Sequence, residues 1–218
     1  MEPLAHRVRP TKLEEFVGQE EVLGKDKILY RTIKADRLTS LILWGPTGCG
    51  KTSIAKVISN TTKYKFIQLN AVTAGVADIK AAVEESRNML LNPAGKCILF
   101  IDEIHRFNKL QQDALLPFVE NGTIILIGAT TENPYFSVNK ALISRSMVVK
   151  LNPLTYKDIL KILQNALKNP AGLANYNIDI EDETLEAIAK LSAGDVRTAL
   201  NTLELAVLTT QMDSNRCN

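Results

Sequence analysis

Short apolar runs alternate with amphipathic stretches along the first 150 residues of the chain. The apolar runs predict strands at residues 41–44, 66–69, 97–101, 123–128 and 147–150. Between them, apolar side chains recur at helical spacing over residues 51–60, 78–91, 108–120 and 138–144. Strands and helices in alternation are typical of α/β proteins, so we predict a five-stranded parallel sheet with helices packed on both faces.

The pattern becomes wholly helical after residue 152. Apolar residues recur at helical spacing near residues 155–168, 181–191 and 195–211, and a turn-rich segment lies at 169–172. We therefore predict two domains, an α/β core over residues 1–152 and a small all-helical lid over residues 153–212. Residues 213–218 are expected to form a frayed tail.

A glycine-rich segment joins the first predicted strand to the first predicted helix. Its residues fit the pattern of a phosphate-binding loop: Gly45, Pro46, Thr47, Gly48, Cys49, Gly50, Lys51 and Thr52. The three glycines allow backbone N–H groups to turn around a phosphate chain, at the positive end of the next helix. The motif predicts binding of a nucleoside triphosphate, with Lys51 contacting its β- and γ-phosphates and Thr52 ligating Mg²⁺.

Two acidic residues end the most apolar of the predicted strands. Asp102 and Glu103 follow directly after residues 97–101. Carboxylates beside a buried strand are costly unless a cation or a reaction uses them. We predict that Asp102 binds Mg²⁺ and that Glu103 orients and polarises the attacking water. The nearby His105 is expected to be structural, since the chemistry demands no role of it.

Further candidates lie outside these two motifs. The fourth predicted strand runs into Thr130 and Thr131, where a hydroxyl can hydrogen-bond the attacking water or the γ-phosphate. We favour Thr131, with Thr130 as the alternative if the strand register differs by one residue. Arg145 and Arg197 are candidates for stabilising a transferred phosphoryl group, although a single arginine more often forms a surface ion pair.

Composition indicates an ordinary soluble globular protein. Hydrophobic residues make up 45% of the chain, charged residues make up 23%, and the net charge is +2. Three cysteines without metal-ligand spacing favour a reducing cytoplasm, and the N-terminus carries no basic and apolar leader. The apolar runs fall short of the roughly 20 residues needed to span a bilayer, so we expect no membrane partner.

Taken together, these motifs resemble the AAA+ ATPases of the clamp-loader-like branch. More narrowly, the chain looks like the replication-associated recombination protein A family. That resemblance covers essentially all 218 residues and is carried by residues 3–5 (PLA), 9–10 (RP), 17–19 (VGQ), 102–109 (DEIHRFNK), 111–113 (QQD), 128–134 (GATTENP) and 194–204 (GDVRTALNTLE). It implies an AAA+ fold, a P-loop core followed by a helical lid.

The resemblance also implies a role for each matching residue. Arg145 would be an arginine finger acting on the neighbouring subunit's nucleotide, Arg197 would be the second sensor, and Thr131 would be the first. Asn70 would hold the catalytic glutamate away until DNA binds, although capping of a turn or helix explains it equally well. An adenine-binding wall would be formed by Val8, Pro10, Val17 and Gly18.

By resemblance, the chain would be a Mg²⁺-dependent, DNA-stimulated ATPase of the bacterial cytoplasm, associated with the nucleoid. It would act in replication-fork maintenance, recombination and DNA repair, with ATP and Mg²⁺ as cofactors. Its partners would be single-stranded, gapped or end-containing DNA and the single-stranded-DNA-binding protein. Family members continue into a helical region that assembles them as tetramers, so we expect weak hydrolysis from these 218 residues.

Two alternatives stay open at this point. The chain could be a clamp-loader subunit or a Holliday-junction branch-migration motor, although residues 106–113 (RFNKLQQD) are not typical of either. It could also be a scaffold that recruits partners to forks, with nucleotide binding as its switch and slow hydrolysis as its timer.

Overall fold

The computed structural model describes residues 2–62, 64–87 and 97–210 and divides the chain into two units. One unit spans Pro10–Asn152, and the other combines Met1–Arg9 with Pro153–Asn218. We predicted that residues 1–152 form one domain, but the structure groups the first nine residues with the helical unit. The predicted tail at 213–218 and the end of the helix predicted at 78–91 lie outside the described residues.

The core unit, Pro10–Asn152, is built on a five-stranded parallel sheet. Its strands are β1 (Ser40–Trp44), β2 (Lys65–Asn70), β3 (Cys97–Asp102), β4 (Ile125–Thr130) and β5 (Ser146–Lys150), in the spatial order β2-β3-β4-β1-β5. The predicted fold class is confirmed. Because β4 lies between β3 and β1, the residues that follow these three strands meet at one edge of the sheet.

Helices cover both faces of this sheet. They are α2 (Glu20–Leu23), α3 (Ile28–Lys34), α4 (Lys51–Thr62), α5 (Val76–Arg87), α6 (Lys109–Glu120), α7 (Pro134–Ser137) and α8 (Lys140–Ile143), with 3₁₀ turns at Leu13–Glu15 and Ile104–Arg106. Side chains of β3 alternate between two buried clusters, since Phe100 packs with α4 and Ile101 packs with α5. The buried sheet therefore fixes the positions of the loops at its carboxyl edge.

The end of β4 differs from the sequence prediction. We expected a strand over residues 123–128, but it spans Ile125–Thr130 because Ala129 and Thr130 pair with residues of β1. At the other end, Thr123 belongs to a turn, where its N–H donates to the Asn121 side chain at 2.9 Å. The strand is thus set by its neighbour in the sheet, and Thr130 is its last residue.

The second unit is helical. Its helices are α1 (Leu4–Arg7), α9 (Tyr156–Lys168), α10 (Asp182–Leu191) and α11 (Val196–Thr209). Residues 1–9 belong here because Leu4 is fully buried in the cluster formed by these helices. Glu204 of α11 strengthens this attachment, since it accepts from the Leu4 N–H at 2.8 Å and from Arg7 at 2.7 Å.

Candidate functional site

The loop between β1 and α4 has the backbone that a phosphate-binding loop requires. Gly48 and Gly50 have positive φ angles of 67° and 102°, which favour glycine. A Cβ atom at Gly45 would lie 2.5 Å from the Leu151 carbonyl oxygen. A Cβ atom at Gly50 would lie 3.0 Å from the Phe16 ring. The glycines are therefore needed for both the turn and the close packing around it.

Lys51 turns its charge into this loop. The side chain is buried, and its Nζ donates to the carbonyl oxygens of Gly45 at 2.8 Å and Pro46 at 2.7 Å. Lys51 also begins α4, so its ammonium group and the first helical N–H groups all carry positive charge at one place. Thr52, the next residue, is half-buried. This arrangement fits a polyphosphate chain with its divalent cation.

Cys49 contributes packing to the same loop. Its side chain is fully buried in the hydrophobic cluster that contains α4. Burial of this kind agrees with a small residue filling the loop, and a buried thiol is poorly accessible to oxidants.

The two predicted acidic residues lie at the carboxyl end of β3. Asp102 is the last residue of the strand, and its Oδ1 accepts from the Glu103 N–H at 3.2 Å. Glu103 has a φ angle of 58°, a left-handed conformation that costs a non-glycine residue roughly 1–2 kcal/mol. This conformation turns the chain sharply into the 3₁₀ turn at Ile104–Arg106 and leaves the Glu103 side chain one-third exposed.

Asn70 lies beside these acids but is engaged locally. In the sheet register it pairs with Asp102. Its Oδ1 accepts from the Val72 N–H at 2.9 Å, so the side chain caps the turn after β2. Of the two roles considered for Asn70, the structure therefore contains the turn cap.

Thr130 and Thr131 have very different surroundings at the end of β4. Thr130 is fully buried, and its Oγ1 lies 2.9 Å from His105 Nδ1 and accepts from the Glu132 N–H at 3.0 Å. Thr131 is exposed and lies one residue beyond the strand. The hydroxyl held within the protein is thus that of Thr130, whereas Thr131 is exposed.

His105, which we expected to be structural, lies beside Glu103. Its side chain is 5% exposed, and Nε2 lies 3.3 Å from a Glu103 carboxylate oxygen and 3.6 Å from a Glu132 carboxylate oxygen. The sequence showed a histidine two positions after Glu103, but a single imidazole carries no spacing signal. The contact with Thr130 depends on β3 and β4 being neighbours, which only the fold reveals.

Gln19 was given no role in the site by the sequence analysis. Its side-chain Nε2 donates to the Asn152 carbonyl at 2.7 Å and approaches the Cys49 carbonyl at 3.4 Å. The preceding residues, Val17 and Gly18, therefore lie in a segment attached to the phosphate-binding loop. This position is compatible with their predicted contact to a nucleotide base. Pro10 belongs to the same core unit.

Arg145 lies on the surface of the core unit, directly before β5. Its guanidinium forms an ion pair with Glu120 at 2.8 Å and donates to the Ala141 carbonyl at 2.9 Å. The side chain is 42% exposed. An arginine directed at the nucleotide of another copy would occupy an exposed position of this kind.

The remaining predicted residues, Val8 and Arg197, belong to the helical unit. Val8 packs against the buried cluster that contains Leu4. Arg197 is exposed in the first turn of α11, where its N–H donates to the capping side chain of Asp195 at 2.8 Å.

Comparison with known proteins agrees with this fold and these motifs. Residues 41–154 match the family described as "ATPase family associated with various cellular activities (AAA)", and residues 174–218 match the "AAA C-terminal domain". The chain therefore belongs to the AAA family of ATPases. Within residues 2–62, 64–87 and 97–210, no helix has the length and apolar character needed to cross a membrane.

Individual relatives narrow the comparison. Replication-associated recombination protein A of Bacillus subtilis is 47% identical over 212 residues, which are 97% of this chain and 49% of that protein. ATPase WRNIP1 of Dictyostelium discoideum is 43% identical, over 94% of this chain and 23% of that protein. The predicted resemblance to the replication-associated recombination protein A family is confirmed. The chain spans about half the length of the bacterial relative.

A solved structure supports the same fold. The Thermotoga maritima RuvB Holliday junction branch migration motor superposes with a TM-score of 0.74 and 29% sequence identity. The match covers 91% of this chain and 64% of that one.

Proposed function

We propose that the chain is the catalytic part of a Mg²⁺-dependent, DNA-stimulated ATPase that acts in replication-fork maintenance, recombination and repair. The observation that carries this proposal is the position of the Lys51 loop, Asp102 and Glu103 at one edge of the sheet. This site occurs in a chain that is 47% identical to a replication-associated recombination protein A. The name of that relative supports the biological setting.

The residues of the core unit divide the work of binding and hydrolysis. Lys51 and the N–H groups of its loop would bind the phosphates of ATP, while Thr52 and Asp102 would hold Mg²⁺. Bound Mg²⁺ would neutralise charge on the phosphate oxygens. Glu103 would polarise the water that attacks the γ-phosphate, and Thr131 would contact that phosphate or the water.

Hydrolysis would be completed between copies of the chain. Arg145 would stabilise the transition state in a neighbouring copy, and Arg197 would contact the nucleotide of its own copy. An arginine finger accelerates phosphoryl transfer roughly 10³- to 10⁵-fold, so an isolated copy would hydrolyse ATP slowly. Tetramers formed through the longer chain of the relatives would supply the neighbour.

The DNA partner would be single-stranded, gapped or end-containing DNA, together with the single-stranded-DNA-binding protein, in the bacterial cytoplasm and at the nucleoid. The test is steady-state ATP hydrolysis with and without each DNA structure, with Mg²⁺ or with EDTA. We expect DNA to raise turnover and EDTA to abolish it. A rate that no DNA structure changes would refute the DNA-coupled part of the proposal.

Glu103→Gln tests the catalytic role of Glu103 in the same assay. It keeps the size of the side chain but removes the carboxylate that polarises water. We expect ATP binding, measured with a fluorescent ATP analogue, to persist while turnover is lost. Turnover equal to that of the unmodified chain would refute the role assigned to Glu103.

A nucleotide-gated scaffold is the second candidate function. It is favoured by the ion pair between Arg145 and Glu120, which engages the proposed finger within its own chain. The two candidates differ in how specific activity depends on protein concentration. Activity that rises with concentration supports hydrolysis limited by assembly, whereas a flat and very low rate supports the scaffold.

A further inference from the structure

His105 contacts Glu103 through one ring nitrogen and Thr130 through the other. His105 Nε2 lies 3.3 Å from a Glu103 carboxylate oxygen, and Nδ1 lies 2.9 Å from Thr130 Oγ1. Because a carboxylate beside Nε2 favours a proton on that nitrogen, a neutral His105 ring would accept from the Thr130 hydroxyl through Nδ1. The Thr130 oxygen in turn accepts from the Glu132 N–H. The Thr130 hydroxyl also lies 3.5 Å from the Glu132 carbonyl oxygen. The imidazole thus lies between Thr130 and the Glu103 carboxylate and contacts both.

The contacts of His105 connect Glu103 to β4 and not to β2. β3 has β2 on one side and β4 on the other. Asn70 ends β2, whereas Thr130 ends β4 and lies between Glu103 and the loop that follows β1. Because His105 contacts both Thr130 and Glu103, it connects the carboxylate to β4, the strand between β3 and β1.

The His105 side chain is much more deeply buried than the two carboxylates that it contacts. The His105 side chain is 5% exposed, whereas that of Glu103 is 33% exposed and that of Glu132 is 58% exposed. Because the ring is enclosed and bonded to a fully buried hydroxyl, it cannot follow the carboxylates as a surface side chain would. The imidazole is therefore the fixed partner, and Glu103 is the movable one.

We propose that His105 is a positioning residue that holds the Glu103 carboxylate in its catalytic orientation and links it to Thr130. This inference rests on the proposed ATPase function, in which Glu103 polarises the attacking water. His105 acts through Glu103 and does not itself contact the reacting atoms.

The first test uses substitutions that distinguish the contact made by Nε2 from the contact made by Nδ1. His105→Gln keeps a donor near the position of Nε2, and His105→Asn keeps a polar group near the position of Nδ1. We expect His105→Ala and His105→Asn to lower kcat about 10- to 100-fold with KM nearly unchanged. Displacing a catalytic group by roughly 1 Å can lower the rate by about 100-fold. We expect His105→Gln to recover most of the loss.

Thermal unfolding of the three variants provides the control for a purely structural role. If kcat follows the melting temperature and His105→Gln is no better than His105→Asn, the positioning role is overturned. Equal losses in kcat and in ATP affinity would overturn it as well, because the proposal assigns His105 no contact with the nucleotide.

The second test does not depend on hydrolysis. The chain contains two histidines, so ¹⁵N NMR of labelled imidazoles can observe His105 with the exposed His6 as an internal reference. When the His105 ring is neutral, we expect it to carry its proton on Nε2, beside the Glu103 carboxylate. Glu103→Gln should shift the His105 nitrogen signals and leave those of His6 unchanged.

These two tests separate the inference from the proposed function. If the His105 nitrogen signals do not change in Glu103→Gln, or if the proton is on Nδ1, the proposed positioning of Glu103 by His105 is overturned. A chain that shows the NMR coupling but never hydrolyses ATP would contradict the ATPase proposal, and with it the catalytic purpose of that positioning. Coupling together with the kcat pattern above supports both.

Discussion

The side-chain amide of Gln19 exchanges two hydrogen bonds with the backbone of Asn152. Its Nε2 donates to the Asn152 carbonyl at 2.7 Å, and its Oε1 accepts from the Asn152 N–H at 3.1 Å. The same Nε2 approaches the Cys49 carbonyl at 3.4 Å. One buried amide thereby joins the N-terminal segment, the phosphate-binding loop and the last residue of the core unit.

Gln19→Ala is expected to weaken both folding and nucleotide binding. The substitution removes the partner of the part-buried Asn152 backbone groups and of the buried Cys49 carbonyl, which costs about 1 kcal/mol of unfolding free energy or somewhat more. It also frees the loop, so we expect ATP affinity to fall. Urea unfolding followed by the fluorescence of Trp44 and titration with a fluorescent ATP analogue measure the two effects.

Gln68→Ala is the matched control for this prediction, since Gln68 is exposed on β2. It should change stability by less than about 0.5 kcal/mol, as most surface substitutions do. Equal effects at the two positions would show that the Gln19 amide contributes nothing specific.

Gly50→Ala is expected to damage the phosphate-binding loop through two separate costs. The first is the φ angle of 102°, and the second is a methyl group placed 3.0 Å from the Phe16 ring. Gly122 also has a positive φ angle, 72°, but its surroundings are open within 4 Å. Gly122→Ala should therefore cost only the backbone penalty of roughly 1–2 kcal/mol.

Comparing these two glycine variants shows what the larger φ angle and the packing against Phe16 together add to the cost at Gly50. We expect Gly50→Ala to be the more destabilising and to lose ATP affinity, measured by urea unfolding and analogue titration. The interpretation fails if Gly50→Ala is as stable as Gly122→Ala and binds ATP normally.

The strands and the two motifs could be predicted because their signals are local. A run such as residues 97–101 is apolar at every position, and it forms the fully buried part of β3. The phosphate-binding loop likewise has fixed spacing, and Gly48 and Gly50 adopt positive φ angles there. Neither observation requires knowledge of distant neighbours.

The features that could not be predicted all depend on contacts between distant parts of the chain. Leu4 looks like any apolar residue near an N-terminus, yet it is buried against helices more than 150 residues later in the sequence. Thr130 is held by pairing with β1, and His105 meets it because β3 and β4 are neighbours. Propensity and spacing carry no information about such pairs.

Glu204→Gln is expected to destabilise the helical unit in a pH-dependent way. Burial raises the pKa of the Glu204 carboxyl, but its bonds to the Leu4 N–H and Arg7 outweigh this effect and lower the pKa below 4.5. A lowered pKa means that the stabilisation is complete above the ordinary value. It is lost as the pH falls through the lower value of the folded state.

At pH 7, Glu204→Gln should therefore cost about 1–2 kcal/mol, the difference between charged and neutral hydrogen bonds. The cost should shrink steadily below a pH of about 4.5. Hydrogen exchange of the α11 amides reports this unit directly, since Trp44 lies in the core unit. Glu186→Gln, in an exposed pair with Lys190, should cost less than Glu204→Gln, because solvent screens an exposed ion pair. If the cost of Glu204→Gln does not depend on pH, the lowered pKa of Glu204 in the folded protein is contradicted.

Arg145 is the last residue to test, because its proposed role requires a second copy of the chain. Arg145→Ala keeps Glu103 and should bind ATP but hydrolyse it roughly 10³-fold more slowly. Glu103→Gln keeps Arg145 and should also be inactive. Mixing the two variants should restore hydrolysis, since each intact Glu103 then meets an intact Arg145 from the other copy.

The control for this mixture is the double variant Glu103→Gln/Arg145→Ala combined with Arg145→Ala. In this combination neither copy carries an intact Arg145. It should stay inactive, as should each single variant at the same total concentration. Phosphate release measured over a range of mixing ratios should peak where both partners are present. If Arg145 acted on the nucleotide of its own chain, every mixture would remain as inactive as its components.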